Sequence, residues 1–213
     1  MNVKPLLEFI GKPESGCDYN VVYGGIKTKH RPVKPLVTMT IGQVLDWQDR
    51  IDPLYMSEAS GYYQIMEDTL RGLYASAGLT TSDLFNEENQ DKLATQLLRR
   101  RGLADYMSGK IAARKFAQNL SKEWASLPAI TKDRMGRPAQ GQSYYAGDGL
   151  NKSHVSIEDT IAAVQSIRPE IDNPIPRTPE AIYHPDPAEE PQGLLVSIIA
   201  FIIRIIGSLR RNG

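Results

Sequence analysis

Half of the chain's fourteen prolines fall in one short stretch. Residues 169–193 hold Pro169, Pro174, Pro176, Pro179, Pro185, Pro187 and Pro191, with six acidic residues between them and Arg177 as the one cation. Proline fixes φ and has no amide proton, so neither a helix interior nor a central strand tolerates this density. The stretch reads as an extended, semi-rigid acidic spacer. It divides the 213 residues into three parts: a domain over 1–168, the spacer, and an apolar segment over 194–213. Only the first is long enough to bury a core of its own.

Within 1–168 the spacing of apolar residues predicts a mostly helical α+β domain. A short helix spans residues 4–12, with Leu6, Leu7 and Ile10 on one face, and Pro13 stops it. From Tyr19 to about Val37 the alternation of Tyr19, Val21 and Tyr23, then Gly24-Gly25, predicts a small N-terminal β-insert. Thr40-Ile41-Gly42-Gln43 is a capping box for a helix to about Ile51. Further helices are expected over about 61–77, 87–100 and 108–127. The last opens at Ser156-Ile157-Glu158-Asp159 and runs to about 167.

The last segment, from Gly193 to Leu209, is apolar except for Ser197, Arg204 and Ser208, and Arg210-Arg211 follow it. The polar positions share one narrow helical stripe, which leaves a very wide apolar face. Three readings stand: a membrane anchor or interfacial helix over 194–211, a segment docking on a partner protein, or a helix folded back on the core.

Charge is balanced over the whole chain but not along it: the spacer carries −5, the last twenty residues +3, and 1–168 about +2. That is no footprint for nucleic acid, and it suits an anionic polymer only weakly. Cys17 stands alone, so no internal disulfide forms, and it reads as a small packed residue. His30, His154 and His184 are too scattered for metal-ligand spacing, and no cofactor motif is present. Leu6-Leu7-Glu8-Phe9-Ile10 is too short and too charged for a secretory leader.

Chemistry gathers around Glu14. A carboxyl at the end of a helix meets the negative end of the macrodipole, and burial acts in the same direction; both disfavour ionisation. A glutamate that keeps its proton near neutral pH can protonate a leaving oxygen. Taken alone, Glu14 reads equally as a solvated loop residue.

Its surroundings carry a resemblance. Glu14-Ser15-Gly16, Tyr19-Asn20-Val21-Val22-Tyr23-Gly24-Gly25 and Ser60-Gly61-Tyr62-Tyr63-Gln64 are followed by Trp124-Ala125-Ser126-Leu127-Pro128. Gly141-Gln142-Ser143-Tyr144-Tyr145 and Asp148-Gly149-Leu150-Asn151-Lys152 complete the series. In this order they resemble the lambdoid phage endolysins, a group that includes lambda-type lytic transglycosylases and related muramidases. The resemblance covers about residues 3–168. It implies a lysozyme-like fold and an enzyme acting on peptidoglycan glycan strands, with Glu14 as catalytic acid. Tyr62, Tyr63 and Gln64 would line one side of the cleft, and Gln142, Tyr144 and Tyr145 the other. For each tyrosine taken singly, core packing is the competing reading. The implied place of action is the periplasm or cell wall after synthesis in the host cytoplasm, at a membrane or in a virion.

A hydrolase needs a second acid or a positioned water. Asp18 is near in sequence and Asn20 stands where some relatives carry an acid, but Asn20 cannot act as a base. A lytic transglycosylase needs only one glutamate, which favours that mechanism over a hydrolytic muramidase. A non-catalytic wall-binding or virion protein on the same scaffold is the reading from another class.

Overall fold

The computed structural model describes residues 2–147 and 151–168. They form seven α-helices: α1 (Lys4–Ser15), α2 (Ile41–Ile51), α3 (Glu67–Arg71), α4 (Glu87–Arg100), α5 (Leu103–Met107), α6 (Ala113–Leu120) and α7 (Ile157–Ser166). The domain is mostly helical with little strand. The spacer and the apolar segment lie outside the described residues. Among those described, no helix is long and apolar enough to cross a membrane.

Helices with explicit caps form where the sequence marks them. Thr40 accepts from the Gln43 amide at 3.2 Å while the Gln43 side chain accepts from the Thr40 amide at 3.1 Å, so the box opens α2. Asn86 and Ser156 cap α4 and α7 by accepting, at 3.0 Å each, from the amides three residues on. α7 packs on α6 and α1, α1 on α4, and α4 leads through α5 to α6. Leu6, Ile10, Leu93, Leu97, Phe116, Leu120 and Val164 are buried in the core these helices share. Each such side chain contributes about 1.5–3 kcal/mol on leaving water.

Four expectations are corrected. α1 does not stop at residue 12 but carries Pro13 inside its last turn and ends at Ser15. Proline there costs one hydrogen bond at most, because the helix terminates two residues later; Gly16, at φ 63°, returns its amide to the Lys12 carbonyl at 3.0 Å. The β-insert reduces to isolated bridges such as Val22 with Ser60, and 3-10 turns form at Thr28–His30 and Leu36–Thr38. Pro32 and Pro35 cannot donate to a ladder in this region.

The helix expected over 61–77 is replaced by a tight reversal in which Ser60 and Ile65 exchange both backbone hydrogen bonds, at 3.1 and 2.9 Å. Gly61 and Gln64 take φ of 76° and 48°, which no helix allows, and α3 starts only at Glu67. The helix expected over 108–127 is likewise confined to α6, after Gly109 at φ 79° breaks the path. Apolar periodicity is present in both stretches but is interrupted by residues in the left-handed region.

With so little strand, loop amides and carbonyls find partners on helix side chains. Gln48 of α2 donates Nε2 towards the carbonyls of Glu58 (3.1 Å) and Ile65 (2.9 Å). Gln90 of α4 accepts from the Tyr62 amide at 2.8 Å and donates to the carbonyls of Phe85 (2.8 Å) and Tyr19 (3.1 Å). Gln118 of α6 accepts from the amides of Ile130 and Thr131 at 2.7 and 2.8 Å and donates to the Lys132 carbonyl at 3.0 Å. All three glutamines are buried. Gln90→Leu keeps the volume but strands the groups it held, at about 1–3 kcal/mol for each one left buried. A lowered urea midpoint at unchanged slope is the expected outcome.

Glu58 is buried beside Glu67, whose amide donates to Glu58 Oε1 at 3.1 Å. Burial outweighs that hydrogen bond and, with Asp52 and Glu67 adding repulsion, moves the carboxyl from 4.5 up to about 7. The folded domain thus retains a proton that the unfolded chain releases above pH 4.5. Stability falls as pH rises from there to about 7, then levels off. The loss from this group is roughly 3 kcal/mol at most. Glu58→Gln is expected to remove that part of the slope, so melting temperatures of variant and wild type converge near pH 4.5 and separate towards pH 7 with the variant higher.

Candidate active site

Glu14 occupies the last turn of α1, half-buried, with its carboxylate turned towards Ser126. The Ser126 hydroxyl donates to Glu14 Oε1 at 2.6 Å and the Ser126 amide to the same oxygen at 3.3 Å. Ser126 is buried, and its own carbonyl accepts from the His154 amide at 2.8 Å. The carboxyl is raised above the usual range. Burial drives the shift and exceeds the two Ser126 hydrogen bonds, which favour the ionised form. The result is a carboxyl held in one orientation, with a proton affinity above that of a solvated glutamate.

Two motifs distant in sequence converge on this helix end. Tyr62 lies against α1 so closely that a Cβ on Gly11 would meet its ring at 1.5 Å. Gly11, buried within the helix one turn before Glu14, is therefore required by the tyrosine and not by the helix. From the other side, Pro128 bridges Ser143, the Ala129 amide donates to the Gln142 carbonyl at 2.7 Å, and Tyr145 donates its hydroxyl to the Lys122 carbonyl at 2.6 Å. The segment carrying Gln142, Tyr144 and Tyr145 is thus tied to the segment carrying Ser126.

The individual side chains differ in how they are placed. Tyr62 and Tyr63 are 5% and 2% exposed. Tyr62 stacks on Tyr19 at 4.3 Å between ring centres and meets Tyr63 edge-on at 5.0 Å. Tyr63 and Tyr19 both donate to Asp91 Oδ1, at 2.6 and 2.9 Å. The ring faces are taken up by protein, and only a remnant of each ring reaches a groove of about 390 Å³ shared with Lys12, Cys17 and Tyr19. Gln64 sits in the turn, not at a helix start, and donates to the Gly61 carbonyl at 2.8 Å.

On the opposite side of the sequence map, Tyr144 and Tyr145 pack edge-on at 5.3 Å, and Lys122 Nζ lies 5.9 Å from the Tyr144 ring centre. Gln142 is exposed. Asp18 is exposed and accepts from the Asn20 amide at 2.8 Å; Asn20 in turn accepts from the Val37 amide at 3.2 Å. Both line a second groove, of about 410 Å³, with Val21, Val22 and residues 31–36. Cys17 is exposed at φ 71°, which corrects its reading as a packed residue. No cluster of metal-ligating side chains occurs among the described residues.

Sequence reasoning missed Ser126 as the partner of Glu14. The two are 112 residues apart, and only the quoted Trp124–Pro128 motif marks the place. Gly11 was equally silent, though an isolated glycine inside an amphipathic helix is the available signal of a close approach.

No curated protein and no solved structure matches the chain. A family model described as Endolysin matches residues 19–149, starting five positions after Glu14. That span is more than half of the chain, which therefore belongs to the Endolysin family and is a phage-type enzyme that degrades the peptidoglycan of the cell wall.

Proposed function

We propose that the domain has a lysozyme-like fold and cleaves the β-1,4 bond between N-acetylmuramic acid and N-acetylglucosamine, with Glu14 as general acid and base. The observation that carries this reading is the carboxyl at the end of α1, held by the Ser126 hydroxyl and amide and raised in proton affinity by burial. Glu14 donates its proton to the glycosidic oxygen as the C1–O bond breaks. The carboxylate so formed removes the proton from the C6 hydroxyl of the muramic residue, and that oxygen closes on C1 as a 1,6-anhydro ring. No water is consumed, and Glu14 ends as it began. A lytic transglycosylase needs no second acid, and among the described residues the Glu14 side chain is met by the hydroxyl and amide of Ser126. Cleft contacts are proposed for Tyr62, Tyr63, Gln64, Gln142, Tyr144, Tyr145, Asp18 and Asn20. A hydrolytic muramidase is the second reading, favoured only by the exposed carboxylate of Asp18 four residues on. On a non-catalytic scaffold the acid would have no role.

Mass spectrometry of fragments released from purified sacculi decides among these. Products ending in 1,6-anhydro-N-acetylmuramic acid are expected; reducing ends, one water heavier, would establish hydrolysis instead. Glu14→Gln is expected to cut turnover by at least about a hundredfold with the fold intact. Unchanged turnover would remove Glu14 from the reaction. Because the acid must carry its proton, kcat/KM falls as pH rises through the raised Glu14 value. Ser126→Ala removes a hydrogen bond that favours the carboxylate, so this alkaline limb moves to higher pH; a merely structural serine would lower activity and leave the limb in place.

The apolar segment 194–211 is proposed to hold the enzyme at a membrane, or against a virion protein, with the acidic spacer giving it reach. Flotation with liposomes by the full chain, and its loss on ending the chain at Arg168, is the expected outcome; identical behaviour of the two would discard the anchor.

A further inference from the structure

Between Asp18 and Asp46 the chain has no acidic residue, while Lys27, Lys29, Arg31 and Lys34 place four positive charges there in a protein of zero net charge. The groove of about 410 Å³ runs along this segment, and Arg31, Lys34, Asp18 and Asn20 are among the residues that line it. Without a strand ladder the segment is nonetheless pinned. Trp47 Nε1 donates to the His30 carbonyl at 2.9 Å, His30 Nδ1 pairs with the Tyr55 hydroxyl at 2.8 Å, Arg31 Nε donates to the Ile26 carbonyl at 3.1 Å, and Asn20 holds the Val37 amide. Pro32 and Pro35 stiffen the tip, and Val33 between them is fully exposed. Such a loop has low ordering cost on binding. Lys27, Lys29, Arg31 and Lys34 are all exposed, and of the four Arg31 also helps to hold the loop through its Nε.

We infer that this groove binds the peptide stems of peptidoglycan through their free carboxylates, with Arg31 and Lys34 as specificity-determining cations and Asp18 facing the stem's free amine where a diamino acid is present. The inference rests on the reading of the chain as a peptidoglycan-cleaving enzyme. The sugars of the glycan strand are uncharged, so four cations gain nothing from them; the stems are the anionic part of the polymer. Each stem hangs from the muramic sugar at the bond to be cut. Asp18 follows Glu14 by four residues, so their Cα atoms are within about 15 Å, a distance that a stem of a few extended residues covers. An arginine fork and an adjacent lysine suit carboxylates.

The test compares glycan strands with intact stems and strands stripped of stems by an amidase, using the full chain. Wild type is expected to cleave the stem-bearing strands with about tenfold higher kcat/KM. Lys34→Ala lowers that preference through KM and leaves cleavage of stripped strands unchanged, and adding Arg31→Ala erases it. Lys34→Glu, a change at an exposed position that no fold contact needs, repeats the loss. Equal loss on both substrates, or no preference in wild type, overturns the inference. If wild type cleaves neither substrate, the functional reading fails, and calorimetric titration with soluble stem tetrapeptide judges the groove alone: binding lost in Lys34→Glu supports it. Absent binding, or capture of anionic phospholipid vesicles in place of the peptide, overturns it.

Discussion

The fold depends on hydrogen bonds from helix side chains to loop backbone. A helical domain with long irregular connections faces an accounting problem, because every buried amide and carbonyl needs a partner and no sheet supplies one. Gln48, Gln90 and Gln118 answer it from three different helices, Gln48 through its amide nitrogen and Gln90 and Gln118 through both ends of the amide. A glutamine suits this role because its donor and acceptor are fixed a short distance apart at the end of a flexible stem. The three loops are those on which the proposed site is built: the reversal at Ser60–Ile65, the turn at Tyr19, and the stretch from Ile130 that follows Ser126.

Legibility in the sequence follows from locality. α2, α4 and α7 are marked by side chains that cap within three residues, and their boundaries are readable for that reason. The stretch 61–77 carries the same apolar spacing as a helix, yet Gly61 turns left-handed because Gln90, 29 positions further on, occupies the space a Cβ would take, at 2.2 Å. Nothing local records that. The site divides in the same way. Glu14 is legible as a helix-end acid, since Pro13 and Gly16 announce the terminus, whereas its partner Ser126 is fixed by tertiary structure. The tyrosines illustrate the opposite error: aromatic residues in a quoted motif suggest open ring faces, but Tyr62 and Tyr63 are packed with Tyr19 and tied to Asp91.

Burial and orientation of Glu14 are one arrangement. α1 brings the carboxyl to its terminus, Tyr62 fills the notch at Gly11 one turn earlier, and Ser126 arrives on a turn held by His154. Desolvation raises the proton affinity, while the serine hydrogen bonds restrain the rise and fix which oxygen is engaged. An acid positioned in this way has a defined direction for its proton, which a solvated glutamate lacks.

The packing of α7 against α1 also sets an order of events during synthesis. The helix that carries Glu14 is among the first elements made, yet it is covered by one of the last, and Ser126 is tied to His154 just ahead of that same helix. Contacts so far apart in sequence form late, after most of the loop-closure entropy has been lost. A ribosome-bound chain short of residue 157 therefore has the glutamate but not the surroundings that raise its proton affinity, and the acid matures only as the domain closes around it.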